Sequence, residues 1–497
     1  MRLLLLTGLF ALAGSGSLYS QSKFEEYKRR ADRKFEQYRV VKQNEFEAYR
    51  KRVNEEFARF MEQQWNPVKF SPEEKPPVAP TPPPVIEDID TVPPVPPRPI
   101  VIIDTVPIPE PVPQPEPIEP IIEKDEDDAR RLDVTLYGTD FSVRVPDMSG
   151  FRLTGSKTAD FAAAWKWLSD ERTNNLIADC LKEREEKALC DWAYLSLLSC
   201  VANRLSAGDK NKSILILSFL FCQSGYKMRL VHDSAGQLHL FYAPVGMAYN
   251  TPNITVDGDR YCLFDNGVKI AGDMKICKFS FPKEQQLSFE ISRPMNLAYS
   301  PSPVRRVTAQ YHPEVSLEVA VNKNLIDFYD RYPNAIPTMN PYSKWTIHAN
   351  TPASPEISRS VYPVLAEAVR GKSQVEAVNI LLHLAQSFNY GYDDDIWGGD
   401  RAFFMDESWY YPLSDCEDHA VNFTRMVRDV MNLDAVLIYY PEHLAAAVAF
   451  TEPDVEGDYV MYGGKKFTVC DPTIFYSNVG RTMKGMDNSS AILIPLK

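Results

Sequence analysis

Ser414-Asp415-Cys416-Glu417-Asp418-His419, Tyr440-Pro441-Glu442-His443 and Cys470-Asp471-Pro472-Thr473 are the three strings whose reading decides the fold. The first opens a helix. Val421, Phe423, Met426, Val427, Val430 and Met431 follow Cys416 at helical spacing, and Asp415 or Ser414 can cap the start. Val436 to Tyr440 reads as a strand, Pro441 breaks it, and His443 opens a second strand over Leu444 to Phe450. Lys466 to Cys470 reads as a third strand, ending at Asp471-Pro472. The chain thus places a cysteine at a helix start, a histidine on a strand and an aspartate at the end of the next strand. That order suits a thiol nucleophile, its base and the group that orients the base. The positive end of the helix macrodipole is expected to favour the Cys416 thiolate.

These strings resemble the transglutaminase-like branch of the papain-fold superfamily, in particular its secreted bacterial members. The matching residues are Ser414 to Asp418, Tyr440 to Val448 and Asp471 to Phe475, and Val321 to Tyr329 is also similar. The resemblance covers roughly residues 350 to 497. It implies an α+β core and a Cys416-His443-Asp471 triad acting on amides or acyl groups, and it implies no substrate. In that reading His443 accepts the Cys416 proton, Asp471 holds the imidazole tautomer, and the Cys416 backbone N–H is one oxyanion donor. No cofactor is implied, and no metal. His419 with Asp415, Glu417 and Asp418 reads better as a charged helix start than as a zinc site, because no second ligand cluster exists along the chain. Trp409, Tyr410 and Tyr411 read as packing, with a wall of the cleft as the alternative.

The N-terminal part has a different character. Arg2, the apolar run Leu3 to Ala13 and small residues after it give residues 1–20 the pattern of a secretory signal. Later stretches fall short of the ~18 apolar residues a membrane helix needs, so no transmembrane anchor is expected, and the location reads as secreted or periplasmic. Residues 22–65 carry an eleven-residue repeat: Phe24, Phe35, Phe46 and Phe57, with Tyr27, Tyr38, Tyr49 and Phe60 three places on. Eleven residues make close to three helical turns, so this predicts one long amphipathic helix with an aromatic stripe, expected to pair copies of the chain or to lie on a domain. Its 12 basic and 9 acidic residues are too mixed for a membrane-surface helix.

Residues 66–128 hold 14 acids against 4 bases, which accounts for most of the net charge of −13. The folded remainder is only mildly acidic, and nothing suggests a nucleic-acid surface. Twenty of the 39 prolines fall between 66 and 123, and Ile89-Asp-Thr-Val-Pro93 recurs as Ile103-Asp-Thr-Val-Pro107. This composition predicts an extended, unpacked acidic linker. The eight cysteines show no CxxC and no zinc spacing, and most read as small buried residues.

Residues 130–280 repeat the grammar of the C-terminal part. Ser213 to Tyr226 matches the helix after the nucleophile, Leu238-His239-Leu240 the base strand, and Arg260 to Asp265 the acid strand. Setting Gly225 opposite Asn432 puts Asp209 in the place of Cys416 and His239 near that of His443. Residues 130–280 therefore read as a degenerate second transglutaminase-like core, 281–340 as a β-rich bridge with strands near 287–292, 304–311 and 315–321, and 341–497 as the catalytic domain. Two functions follow. One is a thiol enzyme that hydrolyses or exchanges amide bonds of peptides or proteins. The other is a non-catalytic protein that binds peptide or glycan in such clefts, with the helix as an assembly device.

Overall fold

The computed structural model of the chain describes residues 6–74, 76, 85–86, 98–124, 130–265, 267 and 269–497. Side chains are described from residue 28 onward, apart from 31, 32, 85 and 86 among those positions, so the segment read as a signal lies outside them. So does the first copy of the Ile-Asp-Thr-Val-Pro repeat. The fold mixes helices and strands, and it is built around two six-stranded sheets.

In chain order, the elements that build these sheets begin with helix α1, Leu6–Met61, and the short strands β1 Asn66–Val68, β2 Val85–Ile86 and β3 Ile102–Thr105. The first globular unit contributes helix α2 Lys210–Gln223 and strands β4 Met228–Asp233, β5 Leu238–Tyr242, β6 Asn253–Val256, β7 Asp259–Leu263 and β8 Met274–Cys277. A hairpin follows, β9 Arg305–Ala309 and β10 His312–Val319. The second unit contributes α3 Gln374–Ala385, α4 Cys416–Met426, β11 Ala435–Tyr440, β12 His443–Ala449, β13 Tyr459–Tyr462, β14 Lys465–Val469, β15 Ile474–Phe475 and β16 Ala491–Pro495.

The two sheets have one plan. The first runs β1-β8-β4-β5-β7-β6 and the second β3-β16-β11-β12-β14-β13. Every corresponding neighbour pair within the globular units is antiparallel. The edge strands differ: β1 is antiparallel to β8, and β3 is parallel to β16. The central strands are buried on both faces. In β11, β12 and β16 all residues are buried, so they read as apolar runs rather than alternations. A helix precedes the first central strand in both units. It ends in a left-handed residue, Gly225 (φ 97°) in the first and Asn432 (φ 53°) in the second.

The proline-rich tract is not the unpacked linker its composition predicts. Its start and its second half dock on the globular units. Ile100 and Val101 N–H groups donate to the Tyr459 and Asn488 carbonyls, and Val106 N–H donates to that of Leu493, each at 2.8 Å. Arg98 pairs with Asp458 at 3.2 Å. The chain then crosses to the first unit. Arg184 donates to the Pro115 carbonyl at 2.8 Å, Gln114 to that of Leu189 at 3.0 Å, and Asn174 to that of Ile122 at 2.8 Å. A Cβ on Gly225 would stand 1.9 Å from the Glu116 carbonyl oxygen, so only glycine lets the tract pass there. Proline offers no N–H but keeps its carbonyl, and an edge strand needs donors on one side alone.

The aromatic stripe of α1 also meets its own chain. Phe57 packs against Trp165, Phe279 and Phe281, with ring centroids 4.5 to 5.2 Å apart. Asn54 bonds the Trp165 indole N–H and the Gln223 amide. Farther back, Phe35 and Tyr38 are exposed. The last turns of α1 therefore belong to the first unit's core.

Two smaller differences have local causes. The apolar run over 176–205 makes two helices, Asn174–Glu186 and Asp191–Leu205, broken where Ala188 takes φ 51°. The expected strand near 287–292 makes one isolated bridge, Pro244 with Leu287, in place of a ladder. Among the described residues no helix is long and apolar enough to cross a membrane.

Candidate active site

The three sequence-selected residues sit where neighbouring elements of the second unit begin or end. Asp415 is extended, and its carboxylate accepts from the Glu417 N–H at 3.1 Å, which starts α4 at Cys416. Asp418 reaches back to the Asp415 N–H at 3.2 Å, closing a capping box. His443 is the first residue of β12, paired with Tyr440 across a turn in which Glu442 takes φ 68°. Asp471 follows β14, placed by the Cys470 N–H bonding the Ala446 carbonyl at 2.8 Å. His443 Nε2 donates to Asp471 Oδ2 at 2.6 Å. Asp471 Oδ1 accepts from the Thr473 N–H at 3.0 Å and the Thr473 hydroxyl at 2.6 Å.

With Nε2 committed to Asp471, the ring nitrogen left for a thiol is Nδ1, which is buried and makes no hydrogen bond. The Leu444 backbone N–H, next along the same strand, eases proton loss from Cys416, though less than burial and the nearby acids oppose it. The Asp471 charge also acts on the Cys416 sulfur. Cys416 and His443 are 0 % exposed and Asp471 is 1 % exposed, so water is excluded from all three. Low dielectric strengthens the His443–Asp471 bond and makes a lone thiolate costly.

The expected thiolate-favouring field is overturned. Burial pushes the Cys416 thiol well above its ordinary range, and the Asp415 and Glu417 carboxylates push it further. These acids stand at the helix start and offset the macrodipole. They belong to a larger buried set. Asp393, Asp400 and Glu417 bring carboxylate oxygens within 4.8 Å of one another, and Lys344 sits among them, bonded to Asp400 and 3.7 Å from Glu417. Burial and mutual repulsion raise Asp415, Glu417 and Asp418 well above the usual carboxylate range. A set so crowded around one ammonium cannot all ionise at once, so its charge on Cys416 is shared and partial.

His419 is buried with Nδ1 3.5 Å from the Pro472 carbonyl oxygen. Burial lowers it to about 4, so it is a neutral ring set between the Cys416 helix and the loop that carries Asp471. Trp409 is core: its ring meets Phe388 edge-on at 4.9 Å. Tyr411 packs on Phe403 and under the Arg401 guanidinium. Sequence reading missed Thr473, Lys344 and Tyr390. Thr473 was legible as the hydroxyl two places after Asp471. Tyr390 carries no local signal; the Gly391 and Ser414 N–H groups, bonding the Ser414 and Asn389 carbonyls at 3.0 and 3.1 Å, bring it beside Cys416. Burial, then the charges of Cys416 and Asp415, push its phenol up.

The equivalent place in the first unit holds other chemistry, with two corrections of register. The Phe264 N–H bonds the Leu240 carbonyl as Cys470 does that of Ala446. By this register Gln237, not His239, stands where His443 does, and Asp265 stands where Asp471 does. Asp209 caps α2 as Asp415 caps α4, so the place of Cys416 falls to Lys210. The shift has a cause: α4 continues as a π-turn over Val427–Met431, which adds one residue that α2 lacks. Gln237 bonds Asn211 at 2.6 Å, and Asn211 also accepts the Leu238 N–H at 2.7 Å. His239 faces Asp233 at 3.2 Å. Lys210 and Asp265 are exposed and no thiol is present at this place.

Cys180, Cys190, Cys200, Cys222, Cys262, Cys277 and Cys470 stand as thiols without disulfide partners among the described residues. Comparison of the chain with family models, curated proteins and solved structures returned no match.

Proposed function

We propose that the chain is a secreted or periplasmic thiol enzyme of the transglutaminase-like type, acting on amide bonds of peptides or proteins through Cys416, His443 and Asp471. The observation that carries this reading is the 2.6 Å bond from His443 Nε2 to Asp471, with both residues and Cys416 buried. Asp471 fixes the proton on Nε2, so Nδ1 is the basic nitrogen. His443 takes the thiol proton as sulfur adds to the amide carbon. It returns that proton to the departing amine, leaving a thioester. Water, or a second amine, then releases the acyl group by the reverse proton path. Because the resting thiol is held protonated, base and nucleophile must act together, and the Cys416 N–H serves as an oxyanion donor.

The alternative, a protein that only binds peptide or glycan, is favoured by one observation: Cys416 and His443 have no exposed surface. A single experiment separates the two. The full chain is treated with a thiol-directed probe and assayed for peptide hydrolysis and for amine incorporation, beside Cys416→Ala. Labelling centred on Cys416 together with turnover that Cys416→Ala abolishes supports the enzyme. Peptide binding unchanged in Cys416→Ala, with no turnover in either protein, supports the binder.

A further inference from the structure

We propose that His312 and His383 form a binding site for one divalent transition metal of intermediate softness, such as zinc, nickel or copper, joining the β9–β10 hairpin to the second unit. His312 opens β10, and His383 lies in the last turn of α3, which packs on α4. His312 Nε2 and His383 Nδ1 are 3.1 Å apart. Two imidazole nitrogens bound to one tetrahedral zinc at about 2.0–2.1 Å each stand about 3.3 Å apart, so the bite is nearly right without movement. The ring centroids lie 5.3 Å apart with planes at 20°.

The outward nitrogens carry the stronger argument. His383 Nε2 faces Asn478 Oδ1 at 3.0 Å, and His312 Nδ1 faces Glu314 Oε1 at 3.5 Å. A metal-bound histidine usually donates its other N–H to a carbonyl or carboxylate, which fixes the tautomer with the inner lone pair on the metal. Both rings have that partner. Between the two inner nitrogens only one proton fits, and a metal ion takes its place. Binding needs His312 in the tautomer protonated at Nδ1. When His312 starts with both nitrogens protonated, one proton is released to solvent; when it starts neutral, its proton moves from Nε2 to Nδ1. Affinity therefore falls as the pH drops. Water completes the coordination on the side of His312, whose side chain is partly exposed. The other groups facing the pair are Tyr311, whose ring meets His383 edge-on at 5.3 Å, and Tyr476 beyond it. His383 is held near pH 4 by burial first and by His312 second, so it is a neutral ligand at neutral pH.

The test uses the full chain carrying Cys416→Ala, which removes a competing thiol. It is titrated calorimetrically with zinc chloride at pH 7.5 and at pH 5.5, and copper(II) is added below one equivalent for electron paramagnetic resonance. The expected result is one zinc per chain, at least about tenfold weaker at pH 5.5, and a copper signal split by two imidazole nitrogens. His312→Asn, at the partly exposed position, is expected to lose one nitrogen from that signal and most of the zinc affinity. Glu314→Gln is expected to weaken zinc by about 10-fold, the low end for an outer partner. Zinc binding that survives His312→Asn, or no saturable binding in a chain whose circular dichroism is native, overturns the site.

Discussion

Asp471 accepts three hydrogen bonds, and two of them come from Thr473. The second of these, from the hydroxyl, is removed by Thr473→Val at nearly constant volume. The expected outcome is a drop in kcat of about tenfold, on the scale of one lost hydrogen bond to a charged group, with the Cys416 labelling site unchanged. A drop as large as that of Cys416→Ala would show instead that the loop had moved. Glu407 offers a second residue-scale test. Burial raises it to about 7, although Arg401 pulls the other way. A carboxyl raised in the fold binds its proton more tightly there than in the unfolded chain. Its contribution is full below the unfolded value near 4.3 and is lost as pH rises through about 7. Thermal stability is therefore expected to fall between pH 5 and 8, with a shallower fall in Glu407→Gln. At this scale the sequence was most legible where order and setting agreed, as for Cys416, His443 and Asp471. It misled at Asp209 and His239, because one inserted helical residue and one hairpin residue shift the register without changing the local pattern.

Gly225 and the π-turn at Val427–Met431 show what an element adds. Both units end their helix in a left-handed residue, and in the first the tract crosses above it. Gly225→Ala should cost about 1–3 kcal/mol from the positive φ alone, push the Glu116 backbone outward and dislodge Pro115 from Arg184. Hydrogen exchange at residues 111–118 checks it; unchanged protection would mean the backbone absorbs the methyl. Strands and helices of the globular units were readable because apolar runs and caps are local signals. The π-turn was not, since a single extra residue in a helix leaves no mark in periodicity. Nor were β1 and β3, whose pairing partners lie hundreds of residues away.

For the whole molecule, the tract makes one body of what composition reads as pieces. It adds the outermost strand to each sheet at the same relative position, so both are closed by one stretch of chain. After engineered protease cuts on both sides, before 98 and after 124, the segment 98–124 is expected to stay with the rest of the chain through gel filtration. Its loss as a free peptide in native buffer would refute the docking.

That arrangement also sets an order of events at birth. β3 waits for β16, ~390 residues further along, which at ~5–20 residues per second is roughly 20–80 s of synthesis. Until then a proline-rich, acidic segment stays apart from its slot, and its charge and missing amide donors keep it from pairing wrongly with a neighbour. The composition that disguises a strand is thus also what lets the nascent chain hold it in reserve.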